Sequence, residues 1–323
     1  MIKKLYMGTA VVMAAVVCSA HAEEPYPTRP IKLVLGFPPG GSVDGIARAF
    51  GEELAGKMKQ PIIVENRPGA GTTIAADMVF RSDPDGYTLY VGGVGVMGGD
   101  NALYKSLHYS PADFRPITQL TTSPMVFVTA ASSSFHSVQD VIAAAKKKPG
   151  DLTYSSSGAG APTHLAAALF LKEAGVQLLH IPYKGGSQSA TAVAAGDVDV
   201  SFATPQSVLP LIDAGKLRAL AVTAPTPMPE LAKVPTIKES GVPSYKFDTW
   251  WGLYAPVKTP EAIVQQLFKA SSEVLHSEKL QQLLLLKGEE VSPSSSPEAF
   301  KTFAGADGKE IVKLIKYSGA QVN

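Results

Sequence analysis

The stretch "IKLVLGFPPGGSVDGIARAFGEELAGKM", residues 31–58, decides the fold. Its first seven residues are an apolar run that reads as a strand. Residues 42–58 read as a helix, because Val43, Ile46, Ala47, Phe50, Leu54 and Met58 recur on one face. A loop rich in Pro and Gly joins the two. Such a loop, opening a helix, presents unpaired N–H groups and the positive end of a dipole, which suits an anion. A plain capped start competes with that reading, with Ser42 as N-cap and the glycines turning the chain. The two readings overlap, since a capping Ser42 still leaves other N–H groups free. A nucleotide-phosphate loop would close on Gly-Lys-Ser/Thr. Here the loop closes on "GGSVD" and has no Lys to meet phosphate.

The same rhythm extends outward. "PIIVEN" (61–66) reads as a strand, "GAGTTIAADMVFRS" as a helix and "YTLYVGG" as a third strand. This βαβαβ order predicts an α/β chain with a mainly parallel sheet covered by helices. It resumes after Pro124 with "MVFVTA", "SVQDVIAAAKKK", "LTYSS", "APTHLAAALFLKEAG", "QLLHIPY", "GGSQSATAVAAG", "DVDVSFA" and "KLRALAVTA". A Pro-rich stretch follows, then "TWWGLYAP" as a strand and two or three amphipathic helices. That tail has almost no strands, so it is expected to pack on the first sheet. The expected first domain is therefore discontinuous, 25–124 plus 248–323, with a second domain, 125–247, inserted in it. Two crossings between lobes permit hinge motion, and the cleft between lobes is the natural ligand site.

Length and composition agree. With 323 residues, 45% of them hydrophobic, the chain can bury the cores of about two domains. Residues 1–22 read as a secretory signal peptide: Lys3 and Lys4, a short apolar run, then small residues around "AHA". The single cysteine, Cys18, lies inside it, and Val17 before it argues against lipidation. A mature chain without cysteine points to a bacterial periplasm. Loss of Lys3 and Lys4 leaves 27 of the 29 basic residues against 28 acidic, a net charge of −1. That offers no basic field for nucleic acid.

Three further stretches bear on chemistry. Gly93–Gly98 matches G-x-G-x-x-G but follows the third strand, and Pro111 ends any helix soon after. It reads as a loop at a strand's C-terminal end, where it can touch a ligand, and not as a cofactor site. "LTYSSSGAGAPTHLAAALF" (152–170) repeats strand, small polar loop and helix start, with Pro162 in the first turn. Ser156 or Ser157 with His164 would make a secreted hydrolase. The Gly two residues upstream that a nucleophile elbow needs is missing, so a second anion-binding helix start is the better reading. "YKGGSQSATAVAAGDVDVSFAT" (183–204) supplies a third such loop. There Asp197 reads as a turn residue, and Asp199 either orients a ligand or caps a loop amide. The six histidines show no metal-ligand spacing. No cofactor is implied. Trp250 and Trp251 either line the cleft or pack a domain-crossing strand.

The segments "GFPPGGSVDGIAR", "IIVENRPGAGTTIAADMVFRSDPDGYTL", "IPYKGGSQSATAVAAGDVDVSF" and "WWGLYAPVKTPEAIV" stand in an order and spacing that resemble the Bug family. These are the periplasmic solute receptors of tripartite tricarboxylate transporters, and the likeness covers nearly all of the mature chain. The resemblance implies a two-lobed periplasmic-binding-protein fold, type II-like. It also implies a monomer that closes on a small organic carboxylate and hands it to membrane transporter subunits. A ligand sensor for a signalling partner would share that fold. Carried onto this sequence, the implied ligand contacts are Phe37, Pro39, Gly40, Gly41, Ser42 and Asp44 on one side. On the other are Ser156, Gly158, Gly160 and Thr163, with Asp199 nearby. Many relatives carry Asp after the strand "DV-x-F", where this chain has Ala203 and Thr204. Thr204 there favours a less polar or neutral distal end of the ligand.

Overall fold

The structure is a computed structural model that describes residues 26–224 and 228–320. The expected signal peptide, residues 1–22, and Cys18 within it lie outside the described residues. The strands are β1 (Ile31–Leu35), β2 (Ile62–Asn66), β3 (Thr88–Gly92), β4 (Phe114–Ser123), β5 (Val126–Ala130), β6 (Thr153–Ser156), β7 (Leu179–Pro182), β8 (Val200–Ala203), β9 (Leu217–Val222), β10 (Thr249–Pro256) and β11 (Glu290–Val291). The helices are α1 (Ser42–Met58), α2 (Thr73–Phe80), α3 (Asp100–Leu103), α4 (Val138–Lys147), α5 (Pro162–Ala174), α6 (Gly186–Ala195), α7 (Pro205–Asp213), α8 (Glu261–Leu275), α9 (Glu278–Leu285) and α10 (Pro297–Ser318).

Two sheets form two lobes. The first is ordered β11-β4-β10-β3-β1-β2 and the second β7-β6-β8-β5-β9. The α/β two-lobed fold is as expected, but the sheets are mixed and not mainly parallel. In the first, β1 pairs parallel with β2 and β3, while β10 pairs antiparallel with β3 and β4. In the second, β6 pairs parallel with β7 and β8, while β5 pairs antiparallel with β8 and β9. Two of the reversed strands, β5 and β10, are each the first one after a crossing between lobes; the third, the two-residue β11, pairs antiparallel with β4 at the sheet edge. The parallel strands end at the cleft. A strand reached directly from the other lobe starts there, so it must run the opposite way. The two crossings run side by side, because Ser123, the last residue of β4, pairs with Thr249, the first of β10.

Packing follows the two-residue period of the strands. Ile31, Leu33 and Leu35 meet α1, α8 and α9 on one face of the first sheet. Val34 and Tyr90 meet α2 and α10 on the other. In the second lobe Phe127, Phe202 and Tyr154 pack on α4 and α5, and Val126 and Val128 on α6 and α7. Helix α10 also packs on α5, so one continuous core reaches across both lobes. Helix α7 was not expected. It has only 9 residues, opens on Pro205 and carries Pro210 inside, so its pattern is too short and too proline-rich to read as a helix.

Candidate functional site

Four helix N-termini meet in the cleft. Gly41 and Ser42 of α1, Pro162 and Thr163 of α5, Gly185 and Gly186 of α6, and Thr204 and Ser207 of α7 all line one chamber of about 250 Å³. None of the four helices has a side-chain hydrogen bond at its N-cap. Their first N–H groups and the positive ends of their dipoles are therefore turned to whatever fills the chamber. That arrangement suits an anion held by neutral donors. Three of these starts were legible in the sequence, and the fourth came with α7.

A larger chamber of about 670 Å³ adjoins the first and shares the walls Phe37, Pro38, Ser157, Pro162, Lys184, Gln188 and Trp251. It is bounded by Gly69–Thr72, by Gly93–Gly95 and by Gly158–Gly160. The G-x-G-x-x-G stretch thus stands at the C-terminal end of β3 as a wall of the cleft. Phe37 and Trp251 meet edge to face with centroids 5.4 Å apart. Among the lining residues Lys184 is the one cationic side chain.

The expected site residues divide into two groups. Phe37, Pro39, Gly41, Ser42, Thr163 and Thr204 line the smaller chamber, and Gly158 and Gly160 the larger. Gly40, Asp44, Ser156 and Asp199 line neither, and each of the last three is committed elsewhere. Asp44 accepts from Gly40 N at 3.0 Å, Arg48 Nε at 3.0 Å and Asn66 Nδ2 at 2.9 Å. Burial disfavours its charge, but the hydrogen bonds from Arg48, Gly40 and Asn66 outweigh that and hold its carboxyl below the ordinary value. Asp44 therefore braces the α1 loop from behind. Asp199 accepts from Thr153 N and Thr153 Oγ1, both at 2.7 Å, which is the loop-amide cap. Ser42 is not the N-cap: Gly41 is, and the Ser42 hydroxyl donates to Glu289. Thr163 Oγ1 accepts from Ser157 N at 2.9 Å and so shapes the loop before α5.

Ser156 is fully buried. Its hydroxyl meets His180 Nε2 at 2.7 Å and not His164. The two rings stack 4.1 Å apart, and His164 Nδ1 accepts from Gly160 N at 2.9 Å. Burial, helped by the neighbouring His180, pushes His164 down to about 3, and burial pushes His180 down to about 4. The pair braces the Gly158–Gly160 loop from inside the lobe. The residues missed by sequence reasoning are Lys184 and Gln188, which lie in the quoted "YKGGSQ" loop but were not singled out, Ser207, which carries no motif, and Glu289, discussed below.

These features define a two-lobed receptor of the periplasmic-binding-protein class. The chain belongs to the tripartite tricarboxylate transporter family receptor family, whose model matches residues 46–319. It is 37% identical over 267 residues to the UPF0065 protein in the tcbD–tcbE intergenic region of Pseudomonas sp. (strain P51), covering 82% of this chain and 79% of that one. R. palustris Rpa4515, solved with adipate, is 32% identical with a TM-score of 0.87, covering 92% of this chain and all of that one (100%). The periplasmic binding protein BugD is 30% identical with a TM-score of 0.83, covering 92% and 100% of the two chains. The family comprises solute-binding receptors and not enzymes. Among the described residues no helix is long and apolar enough to cross a membrane.

Proposed function

We propose that this chain is a monomeric periplasmic receptor that captures a small organic carboxylate in the cleft and delivers it to the membrane subunits of a tripartite tricarboxylate transporter. Residues 25–124 plus 248–323 and residues 125–247 act as the two closing lobes, after loss of residues 1–22. The observation that carries this reading is the convergence of four uncapped helix N-termini on the smaller chamber. The carboxylate is held by the amides and hydroxyls around Gly41, Ser42, Thr163, Gly186 and Thr204. The rest of the ligand lies between Phe37, Trp251 and the loops at Gly158 and Gly160. The adipate in Rpa4515, a protein of similar fold, supports the ligand class. Neutral donors stabilise an anion without a buried ion pair, which keeps release feasible.

A thermal-shift screen of the mature chain against adipate, succinate, malate and benzoate tests this. At 100-fold excess over Kd a ligand adds about 2.7 kcal/mol to stability. A melting point unmoved by every carboxylate would overturn the reading.

A further inference from the structure

We propose that carboxylate capture is coupled to uptake of one proton by Glu289, which thereby acts as the positioning residue for the Ser42 hydroxyl. This deepens the receptor reading and rests on it. Glu289 lies between α9 and β11 and is only 1% exposed. One of its oxygens accepts from the Ser42 hydroxyl and the other from the Ser123 hydroxyl. Ser42 opens α1 on the chamber wall, and Ser123 ends β4 at the first crossing between lobes. The neighbouring Gly288 lies against Pro205 at the start of α7, where an added Cβ would come within 2.4 Å of Pro205 Cβ. A single buried carboxyl is thus one hydroxyl away from both the ligand chamber and the hinge.

The groups around Glu289 do little to neutralise it. From α1 it meets Ser42 and from β4 it meets Ser123. From α9 the Leu284 carbonyl accepts the Glu289 backbone N–H at 3.0 Å. The second lobe offers Pro205 and Met228 beside Gly288, both apolar. Lys287 favours the charged form, as do the two serine hydroxyls. Burial outweighs all three and raises the carboxyl to about 7.

The consequence lies in proton direction. A hydroxyl has one proton. While Glu289 is charged, Ser42 donates that proton to it and offers only lone pairs to the chamber. A ligand carboxylate then meets an acceptor and, one residue behind it, a like charge. When Glu289 takes a proton from solvent, its own O–H donates to Ser42 Oγ, and Ser42 donates to the ligand. The like charge disappears in the same step. By linkage, the bound anion must favour the protonated form.

The test is titration calorimetry of the mature chain with whichever of adipate, succinate, malate or benzoate stabilises it. It is run at about pH 7 and about pH 9, where these ligands stay ionised, in two buffers of different ionisation enthalpy. The expected apparent enthalpy depends on the buffer at pH 7, and affinity falls up to about tenfold per pH unit on the alkaline side. Glu289→Gln is expected to abolish the buffer dependence and to bind at pH 9 at least as tightly as the wild type. His164 and His180 titrate too low to interfere. Asp100, also raised to about 7, is the competing source, and Asp100→Asn separates the two. Buffer-independent heat with a flat pH profile in the wild type overturns the proposal. So does loss of the uptake in Asp100→Asn together with its retention in Glu289→Gln. If Glu289→Gln does not fold, Asp100→Asn decides: uptake retained in it assigns the proton to Glu289, and uptake lost in it overturns the proposal. Absence of binding by all four carboxylates overturns the receptor reading instead, and this inference with it.

Discussion

Gly160 of the second lobe and Leu103 of the first stand in direct contact across the cleft: a Cβ added at Gly160 would lie 2.0 Å from Leu103 Cδ1. Gly160 also has a φ of +73°, a conformation that side chains rarely adopt. Closure of the lobes therefore relies on a missing methyl. Gly160→Ala is expected to weaken ligand binding tenfold or more, about 1.4 kcal/mol, because the lobes can no longer meet. The double variant Gly160→Ala, Leu103→Ala should regain part of that affinity, as the clash is removed while the backbone strain stays. Isothermal titration of both proteins checks this, and a double variant no better than Gly160→Ala refutes the steric account.

The two tryptophans should report differently. Trp251 lines both chambers and packs on Phe37. Its indole N–H has no hydrogen-bond partner among the described residues. Trp250 faces the other way, against Phe300, and donates to Asp307 Oδ2 at 2.8 Å. Ligand binding is expected to change the intrinsic fluorescence of the wild type and of Trp250→Phe. In Trp251→Phe the change should vanish while the thermal shift remains. An undiminished signal in Trp251→Phe would remove this ring from the ligand contacts.

How much of this was legible depends on how local the cause is. The β1–loop–α1 unit was readable because the strand period, the glycines and the helical apolar face all fall within 28 residues. The chamber walls at Gly41 and Thr163 follow from that logic, whereas Phe37 and Thr204 were reached through the family resemblance. The reversed strands β5 and β10 were not readable, because their direction depends on which sheet edge the chain enters after crossing. Ser42 shows the limit most clearly. Local rules make it an N-cap, and the group that accepts its hydrogen bond is Glu289, 247 residues away. Nothing in "KGEEV" marks Glu289 as buried; its polar surroundings in sequence read as surface. Asp44 and Asp199 line neither chamber for the opposite reason. Their carboxylates accept from nearby N–H and hydroxyl donors, which a motif does not display.

Thr163→Val keeps the shape of the side chain and removes its hydroxyl. Two bonds go with it, from Ser157 N at 2.9 Å and with Ser157 Oγ at 2.9 Å. The loop before α5 then loses its lock and the chamber loses a polar wall atom. Binding should weaken by about 1–3 kcal/mol, the cost of leaving such a donor unpaired. Because loop and ligand share the hydroxyl, the melting point of the ligand-free protein should also fall. Unchanged affinity would take Thr163 out of the site.

Stability against pH should be flatter than its parts. His164 and His180 have folded values depressed to about 3 and about 4. Their contribution is therefore full above the ordinary histidine value of about 6.5 and is lost as pH falls below it. Glu289 and Asp100 have folded values raised to about 7. Their contribution is full below the ordinary carboxyl value of about 4 and is lost as pH rises towards 7. Between about pH 4.5 and 6.5 the two pairs act in opposite directions, each group with a slope of up to about 1.4 kcal/mol per pH unit. Wild-type melting points should vary little there. In Asp100→Asn, Glu289→Gln the carboxyl pair is removed and the histidine pair acts alone, so Tm should drop steadily as pH falls through that window. Calorimetric melts of the two proteins, run in parallel, decide the matter, and equal slopes would show that these four groups do not govern the acid response.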